Sequence, residues 1–290
     1  GIMKPISFSP PCFGEAEAEA AAAVVRSGWV VGGREQLEFE RRYAAACGRS
    51  EGVAVSSWTT GAFLVLHAWG IGPGDEVIVP SLTFIASVNV IRHAGATPVF
   101  ADVDPQTLNL DPADVKRRIT PRTRAIIPVD QLGMPCRIDA FVRLADNHGL
   151  RILQDAACAF GSRYQGHPVG ALSDPAVFSL HARKVVTTGE GGMIVTDDAE
   201  FASRLRRLRH QGMSLSDFQR QGLSPTTFET YPEVGFNYRL TDIQAALGTS
   251  QLARIEGFIA ERHAVRQHYA EAFADAAASG HLILPPDDAP

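Results

Sequence analysis

Metal-type cysteine spacing is missing from this 290-residue chain. Its four cysteines, Cys12, Cys47, Cys136 and Cys158, are scattered. A zinc or iron–sulfur centre is therefore not expected, and free thiols in a reducing compartment are the default. Long apolar runs are missing too. None approaches the roughly 20 residues that cross a bilayer, and no signal-peptide pattern leads the chain. A cytoplasmic protein with no membrane partner is the expectation. Charge of one sign is also scarce, with a net charge of −5 and dispersed cations. The one basic run is "RLRRLRH" (204–210). It reads as the solvated face of a helix, since nucleic-acid binding would want a larger basic surface. There is no internal repeat and no low-complexity linker, and the alanine-rich stretch at 14–25 reads as helix.

What is present is alternation. From Val53 onward short apolar runs ("VAVSS", "EVIVP", "TPVFADV", "RAIIPV", "RILQD", "AVFSL", "GMIVTD") are interleaved with helical patterns such as "TGAFLVLHAW" and "RIDAFVRLADNHG". Nearly continuous apolar strands separated by helices predict an α/β fold, with a mostly parallel central sheet covered on both faces. Ligands of such sheets sit beyond the carboxyl ends of the strands. The first suspects are therefore Ser56, Ser57, Pro80, Asp155 and the segment 179–184. "TDIQ" (241–244) is a capping box opening a long helical run. We expect that run to leave the sheet domain and lead into a smaller C-terminal domain, most of which the chain does not include. The expected division is an N-terminal arm (1–14), a large α/β domain (15–240), and a connecting helix with the start of the small domain (241–290).

At the strand ends three kinds of group coincide. Asp155 and Lys184 follow strands that can be neighbours. The helix after "SSWTT" offers N–H groups and the hydroxyls of Ser57, Thr59 and Thr60 to an anion. Singly, each has a bland reading as a surface lysine, a helix-capping aspartate or a polar turn. Jointly they suit pyridoxal 5'-phosphate: phosphate on the helix start, carboxylate on the pyridine nitrogen, lysine on the aldehyde.

The chain resembles the DegT/DnrJ/EryC1/StrS sugar aminotransferases of the aspartate-aminotransferase fold, fold type I. The resemblance runs from about Ser7 to Tyr269. Seven collinear blocks carry it, among them "VAVSSWTTGAF", "LQDAACAFGSRYQGHPVGALSD", "FSLHARKVVTTGEGGMIVTDD" and "VGFNYRLTDIQAALGTSQL". It implies that Lys184 is the Schiff-base lysine and Asp155 the partner of the pyridinium nitrogen. Ser179, with Thr59 and Thr60, would bind the phosphate, and Phe84 would stack on the ring. Asn237 would reach the phosphate across the interface of a homodimer with shared sites.

Two positions depart from the family pattern. Trp58 stands where glycine is usual, and its indole should either point outward or crowd the phosphate cradle. Cys158 stands near the cofactor where glutamine is frequent, and is expected to be a small buried filler rather than a nucleophile. Trp29, His181 and Arg239 are candidate substrate contacts. The resemblance implies transfer of an amino group from glutamate or glutamine to a keto-sugar, expected to be nucleotide-linked, in amino-sugar biosynthesis. The alternatives are a dehydratase, which in some relatives has histidine at the lysine position, and a non-catalytic cofactor-binding regulator.

Overall fold

The computed structural model describes residues 7, 9–221 and 228–286. The sheet is built from β1 (Glu51–Val55), β2 (Glu76–Pro80), β3 (Thr97–Ala101), β4 (Thr123–Ile126), β5 (Arg151–Ile152), β6 (Gln154–Asp155), β9 (Ala176–Ser179) and β10 (Gly192–Thr196). Between β6 and β9 lies a small antiparallel hairpin, β7 (Arg163–Tyr164) with β8 (His167–Pro168). One group of strands runs in the order β3-β2-β4-β5 and the other β1-β10-β9-β6. They are joined where β5 runs into β6: Leu153 N–H donates to Ile126 O and Asp155 N–H to Pro128 O. The pairings within β3-β2-β4-β5 and between β6 and β9 are parallel, and β10 is antiparallel to both its neighbours. Parallel neighbours need a long crossover. The connection from β9 to β10 contains no helix, so β10 returns beside β9 reversed. That connection carries Lys184.

The helices begin and end where their sequences dictate. Ser57 caps α3 (Trp58–Ala68) by accepting the Thr60 N–H, and Thr60 answers in a capping box. Asp111 caps α5 (Pro112–Arg118), with proline in its first turn. Gly149, at φ 64°, ends α6 (Ile138–His148). One apolar core lies where α3, α4 (Ala86–His93) and α7 (Ala199–Leu208) meet the sheet, filled by Val55, Leu64, Val90, Val177, Ile194 and Leu205. A second core includes Phe39, Tyr43, Phe178, Met193 and Leu240 and lies under α2 (Arg34–Ala46) and α9 (Asp242–Leu252).

Three sequence expectations need correction. The run after 241 is not one helix: it breaks at Ala253–Arg254, and α10 (Ile255–Ala272) and α11 (Ala274–Ala278) follow. Its first part does not leave the sheet domain either, since α9 packs against α1 (Glu15–Ser27) and α2. Asp242, only 2% exposed, caps α2 from α9 by accepting the Gly33 and Gln36 N–H groups at 2.7 and 3.0 Å. Nor is "RLRRLRH" a solvated face. Arg204 and Arg207 pair with Glu233, Arg206 with Glu51, and Arg209 with Glu40, while Arg209 and His210 are buried. Acids far away in sequence neutralise these cations, which helical periodicity alone does not reveal.

Candidate active site

Strand register assembles the site. Val55 is level with Gly192, and Gly192 with Ser179. One strand further, Asp155 is level with Val177. The ends of β1, β9 and β6 therefore open on one rim, as does the start of β10. Gly192 is required there: a Cβ would stand 2.5 Å from the Ser57 carbonyl and 2.7 Å from Trp58 N. β10 could not otherwise pass so close under the first turn of α3, whose opening N–H groups have no carbonyl within their own helix.

Asp155 is 4% exposed. Ser87 Oγ donates to its Oδ2 at 2.8 Å, and the Ala157 N–H to its Oδ1 at 3.1 Å. Burial pushes the carboxyl up to about 6, against the pull of these two bonds and of the Lys184 charge. No ion pair serves Asp155 among the described residues. A buried carboxylate with no direct ion-pair partner fits a cationic ring N–H better than it fits a structural role.

Lys184 closes a turn, its N–H donating to His181 O at 2.9 Å. Its Nζ donates to Cys158 Sγ at 3.0 Å. Cys158 is exposed rather than a buried filler. The tight 156–162 loop after β6 turns it out of the sheet towards the β9–β10 connection. Ser179 Oγ accepts the His181 N–H at 3.3 Å, and His181 Nε2 lies 3.8 Å from the Glu190 carboxylate. Gln244 Nε2 donates to Glu190 O at 2.9 Å, tying this turn to α9. Phe84, in the loop after β2, is 77% exposed and has an uncovered ring.

Trp58 does neither thing expected of it. It is buried, and its Nε1 donates to Val177 O at 3.1 Å. The indole fills the core below α3 and leaves the helix start clear. Thr60 Oγ1 is spent on local bonds to Ser56 and Ser57 and its N–H on the Ser57 hydroxyl, so the Trp58 and Thr59 N–H groups and the Thr59 side chain remain for an anion.

Lys184, Cys158, Asp155, Ser179, Thr59 and Thr60 thus share the strand-end rim. Trp29 and Arg239 belong to a different grouping, around a cavity that none of those six lines. Asn237 is exposed on a segment fastened along the end of β1, where Ser56 N–H donates to Tyr238 O at 2.9 Å. Sequence reasoning missed Ser87. A serine on the buried face of α4, four residues after Thr83 and bonded to it at 3.0 Å, is the available signal. Among the described residues there is no group of His, Cys, Asp and Glu able to hold a metal, and no helix is long and apolar enough to cross a membrane.

The DegT/DnrJ/EryC1/StrS aminotransferase family profile matches residues 11–289. GDP-perosamine synthase of Caulobacter vibrioides is 44% identical over 270 residues, 93% of this chain and 70% of that one. The spore coat polysaccharide biosynthesis protein SpsC of Bacillus subtilis is 41% identical over 268 residues, 92% and 69%. An aminotransferase from Psychrobacter cryohalolentis superposes with a TM-score of 0.92 at 35% identity, covering 97% of this chain and 72% of its own. Spr1654 from Streptococcus pneumoniae in its PLP-form gives 0.86 at 32%, covering 93% and 71%. A profile matched over nearly the whole length, with relatives above 40% identity, makes this chain a member of the DegT/DnrJ/EryC1/StrS aminotransferase family.

Proposed function

We propose that this protein is a pyridoxal 5'-phosphate-dependent aminotransferase that passes nitrogen from glutamate or glutamine to a nucleotide-linked keto-sugar. The observation that carries the reading is Asp155, a buried carboxylate with no direct ion pair among the described residues, on the same rim as Lys184. The nucleotide link draws on GDP-perosamine synthase, whose name is that of a GDP-linked product.

When bound, the cofactor supplies an electron sink for the carbanion left by the donor's α-proton. The protein's own groups do the rest. Asp155 holds the proton on the ring nitrogen, and Ser87 holds Asp155. The first turn of α3, with Thr59 and Ser179, takes the phosphate; Thr60 shapes that turn. Lys184 Nζ would hold the cofactor's aldehyde, and its free amine would take up and deliver the donor's α-proton, a transfer worth about 10²–10⁴ in rate. Cys158 Sγ gives the free Lys184 amine a resting partner. Phe84 offers a ring face to the cofactor, and His181 lies beside the turn that bears Lys184.

The same reading makes the unit a homodimer in the cytoplasm, with Asn237 serving the partner's phosphate. Its support is exposure: Leu82, Phe84 and Ile85 present an uncovered apolar loop at the site. The division into arm (1–14), cofactor domain (15–240) and the start of a smaller domain (241–290) belongs to the reading as well, with the anchoring of α9 tying the last part to the first helices. Lysine at 184 favours amino transfer over dehydration. The test is a panel of nucleotide keto-sugars incubated with glutamate and loaded enzyme, read by mass spectrometry. Amino sugar is the expected product; deoxy sugar, or no product across the panel, would overturn the reading.

A further inference from the structure

A cavity of about 250 Å³ lies between the start of α2, the end of α7 and the segment 210–219. Arg206, Arg207, Arg209, His210 and Arg239 all line it. The first three are neutralised by Glu51, Glu233 and Glu40. The cavity's own acid, Asp217, pairs with Arg220. Among the described residues Arg239 has no carboxylate partner. Its Nη1 meets His210 Nδ1 at 2.8 Å instead.

That contact fixes the tautomer. A guanidinium only donates, so His210 Nδ1 accepts and the neutral ring carries its proton on Nε2. Burial, and then the Arg239 charge, hold His210 below its ordinary value, which keeps it neutral. His210 is 7% exposed, and its Nε2 is buried with no acceptor. A second buried N–H without an acceptor, Trp29 Nε1, stands over Gly33, which lines the cavity; a Cβ on Gly33 would collide with it. Orphaned buried donors beside an unpaired guanidinium are costly unless something fills the gap.

We infer that this cavity binds an oxyanion, a carboxylate or phosphate group of a substrate, with Arg239 supplying the charge and His210 Nε2–H a directed hydrogen bond. The inference rests on the aminotransferase reading for the source of that group, which is either the dicarboxylate donor or the diphosphate of the sugar nucleotide. The segment from Tyr238, bonded at the end of β1, to Arg239 in the cavity would link this group to the cofactor rim.

The experiment is calorimetric titration of the loaded protein with three probes: glutamate, a nucleoside diphosphate and inorganic phosphate. Wild type should bind glutamate or the nucleoside diphosphate, and whichever binds identifies the source. Arg239→Gln and His210→Phe should each weaken that probe by about tenfold or more, the worth of a charge-assisted or buried hydrogen bond. Arg239→Lys should recover part of the loss, and His210→Gln, which keeps a donor, should recover part of the other. Equal affinity in wild type and Arg239→Gln, or no binding of any probe by wild type, overturns the inference. Formation of amino sugar by a protein that fails this test would leave the aminotransferase reading standing without the cavity.

Discussion

Ser87 Oγ donates to Asp155 Oδ2 at 2.8 Å, joining the first turn of α4 to the end of β6 across 68 residues of sequence. The bond stabilises the ionised carboxylate, the form that can hold a ring proton. Ser87 is therefore a positioning residue, and its removal should leave a signature beyond a lower rate. Ser87→Ala should cut kcat/KM by roughly tenfold, the order of one hydrogen bond to a charged group. It should also raise the Asp155 pKa, so the acid limb of the pH–rate profile moves to higher pH. Ser87→Thr, which keeps the hydroxyl, should restore the limb. A rate loss with no movement of the limb would assign Ser87 a packing role only.

The protein without cofactor should show a related pH dependence in its stability. Burial pushes Asp155 up to about 6 and Asp130 up to about 7. Both folded-state values lie above the unfolded value of about 4. Their stabilising contribution is therefore complete below that value and is lost as pH rises through about 6 and then 7. The Tm of the apo protein should fall across this window. Cofactor should remove the part due to Asp155, because a ring cation favours its ionised form, and leave the part due to Asp130. Thermal melts from about pH 5 to 8, with and without cofactor, check this. Identical slopes in the two series would contradict the pairing.

Shared sites make a prediction of their own. Asn237→Ala and Lys184→Ala proteins should each be nearly inactive, the first from a loosened phosphate and the second from a missing amine. Mixed and re-equilibrated, they should regain up to about a quarter of wild-type activity, since half the dimers are hybrids and each hybrid rebuilds one of two sites. Activity of the mixture no higher than that of its components would argue that Asn237 serves its own chain.

Most of the architecture was legible because it is written in local signals. The strand runs and the capping box at Thr241 need no tertiary information. The candidate residues at strand ends were legible for the same reason: the parallel sheet delivers them to one rim. What escaped the reading depends on partners distant in sequence. The arginines of 204–210 look solvated until Glu40, Glu51 and Glu233 arrive from elsewhere. The helix after 241 reads as detached until Asp242 is found capping α2. Trp58 could be placed only once the space between α3 and β9 was known, because an indole in a glycine position is decided by the cavity it meets. Ser87 offered only its four-residue spacing from Thr83, and the bond that singles it out reaches Asp155, 68 residues away.

The central claim concerns one nitrogen, and the chain's composition makes it easy to isolate. There are three lysines, Lys4, Lys116 and Lys184. Borohydride reduction of the cofactor-loaded protein, followed by proteolysis and peptide mass mapping, reads directly which of them carries the pyridoxyl group. The account expects the added mass on the peptide containing Lys184, in one equivalent per chain, and none after prior incubation with glutamate. Mass on Lys4 or Lys116, or an unmodified Lys184 peptide from a coloured protein, would contradict it.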